Sequence, residues 1–141
     1  MEISGSCHCG RVAFTAVIDQ DKVVACHCRD CQILSGAPFR TVAEASAASL
    51  RVQGIPKTYA FVQHGNTMEQ AFCPECGTHL YASNRSKPNS VIIRLGCVDQ
   101  RAKLAPTLQI WKESAMPWLD GLASIPAPAI PVDCDATGQD R

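Results

Sequence analysis

A mainly β fold held together by metal ions is what the residues of this chain predict, on three observations. Apolar side chains take every second position where Val12, Phe14, Ala16 and Ile18 alternate with Ala13, Thr15 and Val17, the period of a half-buried strand. No long stripe of period 3.6 runs through the 141 residues, which argues against a helical bundle. Cysteine is abundant at nine residues, and eight precede residue 98, so fixed ligand points are spread along the body of the chain. Such points matter here. Two Trp, two Tyr and four Phe make a modest core, and a structural zinc contributes on the order of 10 kcal/mol to folding.

Taken in order, the first strand is the alternating run 12–18, and further strands are expected at 22–27, 39–43, 57–63, 68–73, 78–83, 90–95 and 107–112. Those at 57–63 and 68–73 flank His64-Gly65-Asn66, a turn signal that makes 57–73 a hairpin. Residues 29–34 suit one helical turn ending at Ser35-Gly36. The Ala/Ser-rich stretch 43–50 fits either a helix or a loop. Residues 1–122 are expected to form one domain. Residues 123–141 open with three prolines in six residues and end polar, the composition of an extended tail.

Thirteen basic and thirteen acidic residues leave a formal charge of zero. That balance gives no electrostatic reason to expect nucleic acid or an anionic membrane as partner. The start, Met1-Glu2-Ile3-Ser4-Gly5-Ser6-Cys7, lacks the basic and apolar regions of a secretory signal, and no apolar run approaches a membrane span. The expectation is a reducing cytoplasm, where dense cysteine means metal rather than disulfides.

Spacing strengthens the metal reading. The groups are Cys7-His8-Cys9, Cys26-His27-Cys28-Arg29-Asp30-Cys31 and Cys73-Pro74-Glu75-Cys76-Gly77. Cysteines two or three apart on a turn can aim their sulfurs at one tetrahedral centre, whereas disulfides across such gaps are strained. Pro74 presets φ after one ligand and Gly77 can take a positive φ after the next, which is how a zinc knuckle is made.

Seven sulfurs exceed one mononuclear site, and a closed structural site takes four. Three then remain, enough to hold an ion and leave one position for substrate. Cys26, Cys28 and Cys31 lie within six residues and suit one ion. The pairs Cys7/Cys9 and Cys73/Cys76, more than sixty residues apart, suit the other. Spacing also allows a structural triple completed by Cys97 or a histidine. Four- and three-sulfur sets favour zinc over iron.

The pattern Cys7-x-Cys9-Gly10, then Cys26-x-Cys28-x-x-Cys31 with Ser35-Gly36, then Phe72-Cys73-x-x-Cys76-Gly77-Thr78, resembles the glutathione-dependent formaldehyde-activating enzyme family, which includes centromere protein V. Gly96-Cys97-Val98-Asp99, Pro106, Glu113-Ser114 and Pro117-Trp118 are similar to its C-terminal pattern. The resemblance covers about residues 4–122. It implies a β-tent, a zinc-bound fold of layered antiparallel sheets with short helical turns. It also implies two zinc ions: a structural one on Cys7, Cys9, Cys73 and Cys76, and a catalytic one on Cys26, Cys28 and Cys31. The activity it implies is carbon–sulfur lyase chemistry on a small thiol and an aldehyde, with glutathione and formaldehyde giving S-hydroxymethylglutathione. A non-catalytic zinc module that binds a protein or nucleic acid is the competing expectation.

Three thiolates donate heavily and leave a zinc site at about −1, which favours activating an incoming thiol over hydrolysis. Seven thiolates around two zinc ions take the whole chain from zero to about −3, so an anionic thiol needs local help, for which Arg29 and Arg40 are candidates. Of the other residues, His27 and His8 are expected to point away from the metals, and His64 to be solvated. His79 is expected on a strand face and Cys97 as a small hydrophobe. Glu113 reads as an exposed ion-pair partner, or else an acid/base. Trp111 and Trp118 are expected to cover the core, and Ser35 to end the helical turn or to donate to a sulfur.

Overall fold

Strand β2 (Ala13–Cys26) organises the architecture because four other strands pair with it. The computed structural model describes residues 1–127, and among these nine strands form one sheet. β1 (Glu2–Ser6) and β4 (Arg51–Gln53) pair with the first half of β2. β3 (Arg40–Ser46) and β9 (Leu108–Ile110) pair with its second half. Beyond β3 come β8 (Lys87–Arg94), β7 (His79–Asn84), β6 (Asn66–Phe72) and β5 (Lys57–Gln63). Of the described strand pairings, β2 with β9 alone is parallel. The fold is mainly antiparallel β.

The alternation that predicts the first strand survives in the structure: Phe14, Ala16 and Ile18 are buried while Thr15 and Val17 are exposed. The two strands expected at 12–18 and 22–27 are one strand with a register shift between Ile18 and Val23. Asp19-Gln20-Asp21-Lys22 breaks the apolar period but stays extended, as a strand does where it bends between partners. β1 and β4 carry too few large apolar residues to announce themselves. Stretch 43–50 divides between the end of β3 and a 3₁₀ turn at Ala47–Ser49.

Period two gives the sheet two working faces. Val23, Ala43, Ala45, Val91 and Ile93 turn to one side and join Ile3, Val12, Phe14 and Leu80 in the core. Their neighbours Val24 and Cys26 on β2, Arg40, Val42 and Glu44 on β3, and Ile92 and Arg94 on β8 line a cavity on the other. Gly5 lets β1 close over the core: a Cβ there would lie 2.5 Å from the Cys97 carbonyl oxygen and 2.6 Å from the Phe14 ring.

Among the described residues no helix is long and apolar enough to cross a membrane. A 3₁₀ helix at Pro117–Ser124 carries the chain across the start of the expected tail. The rest of that tail from residue 128, with Cys134, lies outside the described residues.

Candidate metal centres

Cys7, Cys9, Cys73 and Cys76 converge, with their sulfurs all within 4.8 Å of one another. Cys7 follows β1 and Cys73 follows β6, so the cluster ties the first strand to a strand near the opposite edge of the sheet. A tetrahedral zinc with sulfurs at ~2.3 Å has sulfur–sulfur edges of about 3.8 Å. The Cys7–Cys9 and Cys9–Cys73 separations, 3.6 and 3.7 Å, match that edge. Gly77 sits at φ 73° and donates its N–H to the Cys73 carbonyl, closing the knuckle in a conformation that glycine adopts without strain. Val12 N–H donates to Cys7 Sγ at 3.2 Å. Cys76 Sγ lies 3.2 Å from Thr78 Oγ1, and this contact, ahead of a backbone hydrogen bond at the same residue, brings the Cys76 thiol down to about 5.

Cys26, Cys28 and Cys31 form a second cluster, also within 4.8 Å. Cys26 ends β2, and Cys28 caps helix α1 (Arg29–Ser35), its sulfur accepting from Cys31 N–H. One helical turn therefore sets two of the three sulfurs side by side. Gln63 Nε2 donates to Cys28 Sγ at 3.5 Å and to Asp30 Oδ2 at 2.9 Å. Pairing with Cys31, opposed by burial, brings the Cys26 thiol down to about 5. The same pairing, with burial, pushes Cys31 well above the usual thiol range. One proton-poor sulfur thus sits among thiols, and shedding their remaining protons together takes an added positive charge.

Both donor sets fit a thiophilic divalent ion such as zinc. They differ in completeness. Among the described residues no fourth Cys, His, Asp or Glu joins the trio. Cys97, weighed as a fourth ligand, instead lies 3.1 Å from the Arg94 carbonyl and 3.6 Å from that of His79.

The trio opens on a cavity of about 590 Å³, lined by Cys26 and Cys31. Val42, Phe61, Met68, Ile92, Leu108 and Ile110 supply much of its wall, and its surface is mostly apolar. Arg40 and Arg94 line it as well. Burial, then the charge of nearby Arg40, pulls the Arg94 guanidinium down to about 9. Arg40 is lowered by burial too, while the trio's sulfurs pull it back up.

His27 is buried and turned to Gln109, with Nε2 2.9 Å from Oε1, and its ring lies against Phe39. The expectation that it points away from the sulfurs fits this placement. His8, Arg29 and Glu113 are exposed. His79 lies on β7, and burial lowers its ring. Ser35 Oγ donates to the Cys31 carbonyl at 2.6 Å, ending the helix rather than touching a sulfur. One expectation needs correcting. Trp111 and Trp118 are 41% and 51% exposed and do not cover the core, because aliphatic side chains already fill it. His64 is exposed, as expected, and also stacks on Trp111, ring centroids 4.4 Å apart. Residue-by-residue reading passed over Gln63, Gln70 and Arg94. Arg94 had a visible signal, a charge at the strand position that shares a face with Ile92.

Comparison with known proteins bears on the family and the fold. An uncharacterized lyase of Schizosaccharomyces pombe is 29% identical over 92 residues, covering 65% of this chain and 65% of that protein. A crystal structure of a Rhodobacter sphaeroides protein superposes with a TM-score of 0.61 at 22% identity, over 75% of this chain and 98% of that one; it supports the fold. The family model for the glutathione-dependent formaldehyde-activating enzyme matches residues 2–114. Both clusters fall within that span, and the chain belongs to this family.

Proposed function

We propose that this protein is a zinc-dependent carbon–sulfur lyase that joins a thiol reversibly to an aldehyde. Glutathione and formaldehyde giving S-hydroxymethylglutathione, or a related pair, are its substrates. In this reading Cys7, Cys9, Cys73 and Cys76 hold a structural zinc, and Cys26, Cys28 and Cys31 hold the zinc of the active site. One observation carries it: the three-sulfur cluster faces a cavity and has no fourth protein donor among the described residues, whereas the four-sulfur cluster is complete and contributes nothing to that cavity.

A zinc held by Cys26, Cys28 and Cys31 would supply the positive charge that makes an incoming thiol acidic near neutral pH. The protein does the rest. The Cys28 cap and the Cys31 turn fix two donors on one short helix, while Gln63 donates to Cys28 and ties Asp30 beside it. Gln32 Nε2 donates to the carbonyls of His27 and Ser114, fastening the ligand loop to the segment after β9. The cavity wall, mostly apolar in surface, would hold the two reactants against one another. In the reaction a sulfur–carbon bond forms and the thiol proton passes to the carbonyl oxygen; the reverse releases both.

NMR exchange spectroscopy on formaldehyde and a panel of thiols, with and without the zinc-loaded protein, tests the reading. Acceleration for at least one thiol is expected. Its absence for every thiol contradicts the enzyme reading and favours a zinc module that binds a partner.

A further inference from the structure

Two arginines are buried beside the trio without a carboxylate partner. Arg40 is 6% exposed and Arg94 9%. Arg40 Nη1 and Arg94 Nε and Nη2 all donate to one atom, Gln70 Oε1. That oxygen is held in place because Gln70 Nε2 is committed to the carbonyls of Ala71 and Tyr81. An amide oxygen carries no net charge, so two cations share a dipole where buried guanidiniums ordinarily meet anions. Among the described residues neither arginine forms an ion pair. Arg40 Nη2 is buried with no hydrogen-bond partner, a costly state for a charged donor.

The carboxylates that line the cavity do not relieve this. Asp30 is taken by Gln63, and Asp21 and Glu44 are exposed. Nor does the trio cancel the charge: three thiolates around a divalent ion total about −1, against two guanidiniums. Arg40 thus keeps one orphan donor beside a cavity whose surface is mostly apolar.

We propose that Arg40 and Arg94 receive a carboxylate of the substrate, and that the thiol used here is a compact monocarboxylate with an apolar body rather than a peptide. This rests on the thiol–aldehyde reading above and narrows its substrate class. The thiol end lies toward Cys26 and Cys31, the apolar body against Phe61, Met68 and Ile92, and the carboxylate against Arg40. A tripeptide brings amides and a second carboxylate to a wall whose surface is mostly apolar.

The test titrates the zinc-loaded full chain with 3-mercaptopropionate, 1-propanethiol and glutathione, following binding by calorimetry and the arginine Nε–Hε resonances by NMR. We expect 3-mercaptopropionate to bind about tenfold or more tightly than 1-propanethiol, and at least as tightly as glutathione, and to shift the Arg40 and Arg94 resonances. Arg40→Gln removes the preference for the anion and Arg40→Lys keeps part of it. The wild-type titration stands even where these variants fold poorly. Equal affinity for charged and neutral thiols, unmoved arginine resonances, or tighter binding of glutathione overturns the inference. Formaldehyde exchange measured on the same samples separates the two readings. If exchange is accelerated without a preference for the anion, the lyase reading stands and the substrate class falls. If the anion binds at the arginines without accelerated exchange, the carboxylate site stands and the lyase reading falls.

Discussion

Cys7, Cys9, Cys73 and Cys76 draw together positions more than sixty residues apart, whereas Cys26, Cys28 and Cys31 come from one strand end and the helical turn after it. The long-range cluster closes a large loop, so an ion there stabilises the folded chain against an unfolded one in which the ligands are far apart. The local cluster closes almost nothing and leaves the global fold to the sheet. It also faces the cavity and has one donor fewer. On the proposed reading, ligand number and sequence separation divide the work: the distant four would hold the fold, and the neighbouring three would be left for chemistry.

The largest effect expected from this contrast comes from Cys73→Ala. It removes one ligand of the long-range cluster and with it much of a contribution on the order of 10 kcal/mol. Circular dichroism is expected to show no cooperative thermal transition. Next is Cys28→Ala. The cooperative melt is expected to persist, bound zinc to fall from two ions to one, and formaldehyde exchange to drop by about a hundredfold or more. A Cys28 variant as unfolded as the Cys73 variant breaks the comparison. Gln63→Ala leaves every sulfur in place but removes the donor to Cys28; the trio is expected to lose zinc to a chelator about tenfold faster, with the other cluster unchanged.

The smallest effect concerns a sulfur of neither cluster. Burial pushes the Cys97 thiol up to about 11. Because the thiolate is the reactive form, its alkylation is expected to be slow at pH 7 and to rise about tenfold per pH unit until pH 11. Mass spectrometry after iodoacetamide treatment measures this, and a rate already flat between pH 7 and 9 contradicts it.

Much of this was legible in the sequence, because the signals are local. The alternation Phe14, Ala16, Ile18 marks a buried face within a few residues, and each cysteine group announces a turn by its spacing. The hairpin of β5 and β6 follows from His64-Gly65-Asn66 in the same way. What escaped depends on distant partners. β1 and β4 become strands because β2 offers them an edge, not because of their own pattern. Gln70 looks like a surface residue until the sheet places it against Arg40 and Arg94. Trp111 and Trp118 appear destined for the core by size alone, yet the aliphatics of β2, β3 and β8 leave them no room.

The most direct measurement is a crystal structure of the zinc-loaded protein with anomalous data collected at the zinc edge. One ion on four sulfurs is expected, and a second held by Cys26, Cys28 and Cys31 alone, its remaining position turned to the cavity. An empty trio, or an ion there capped by a fourth side chain of the same polypeptide, contradicts it.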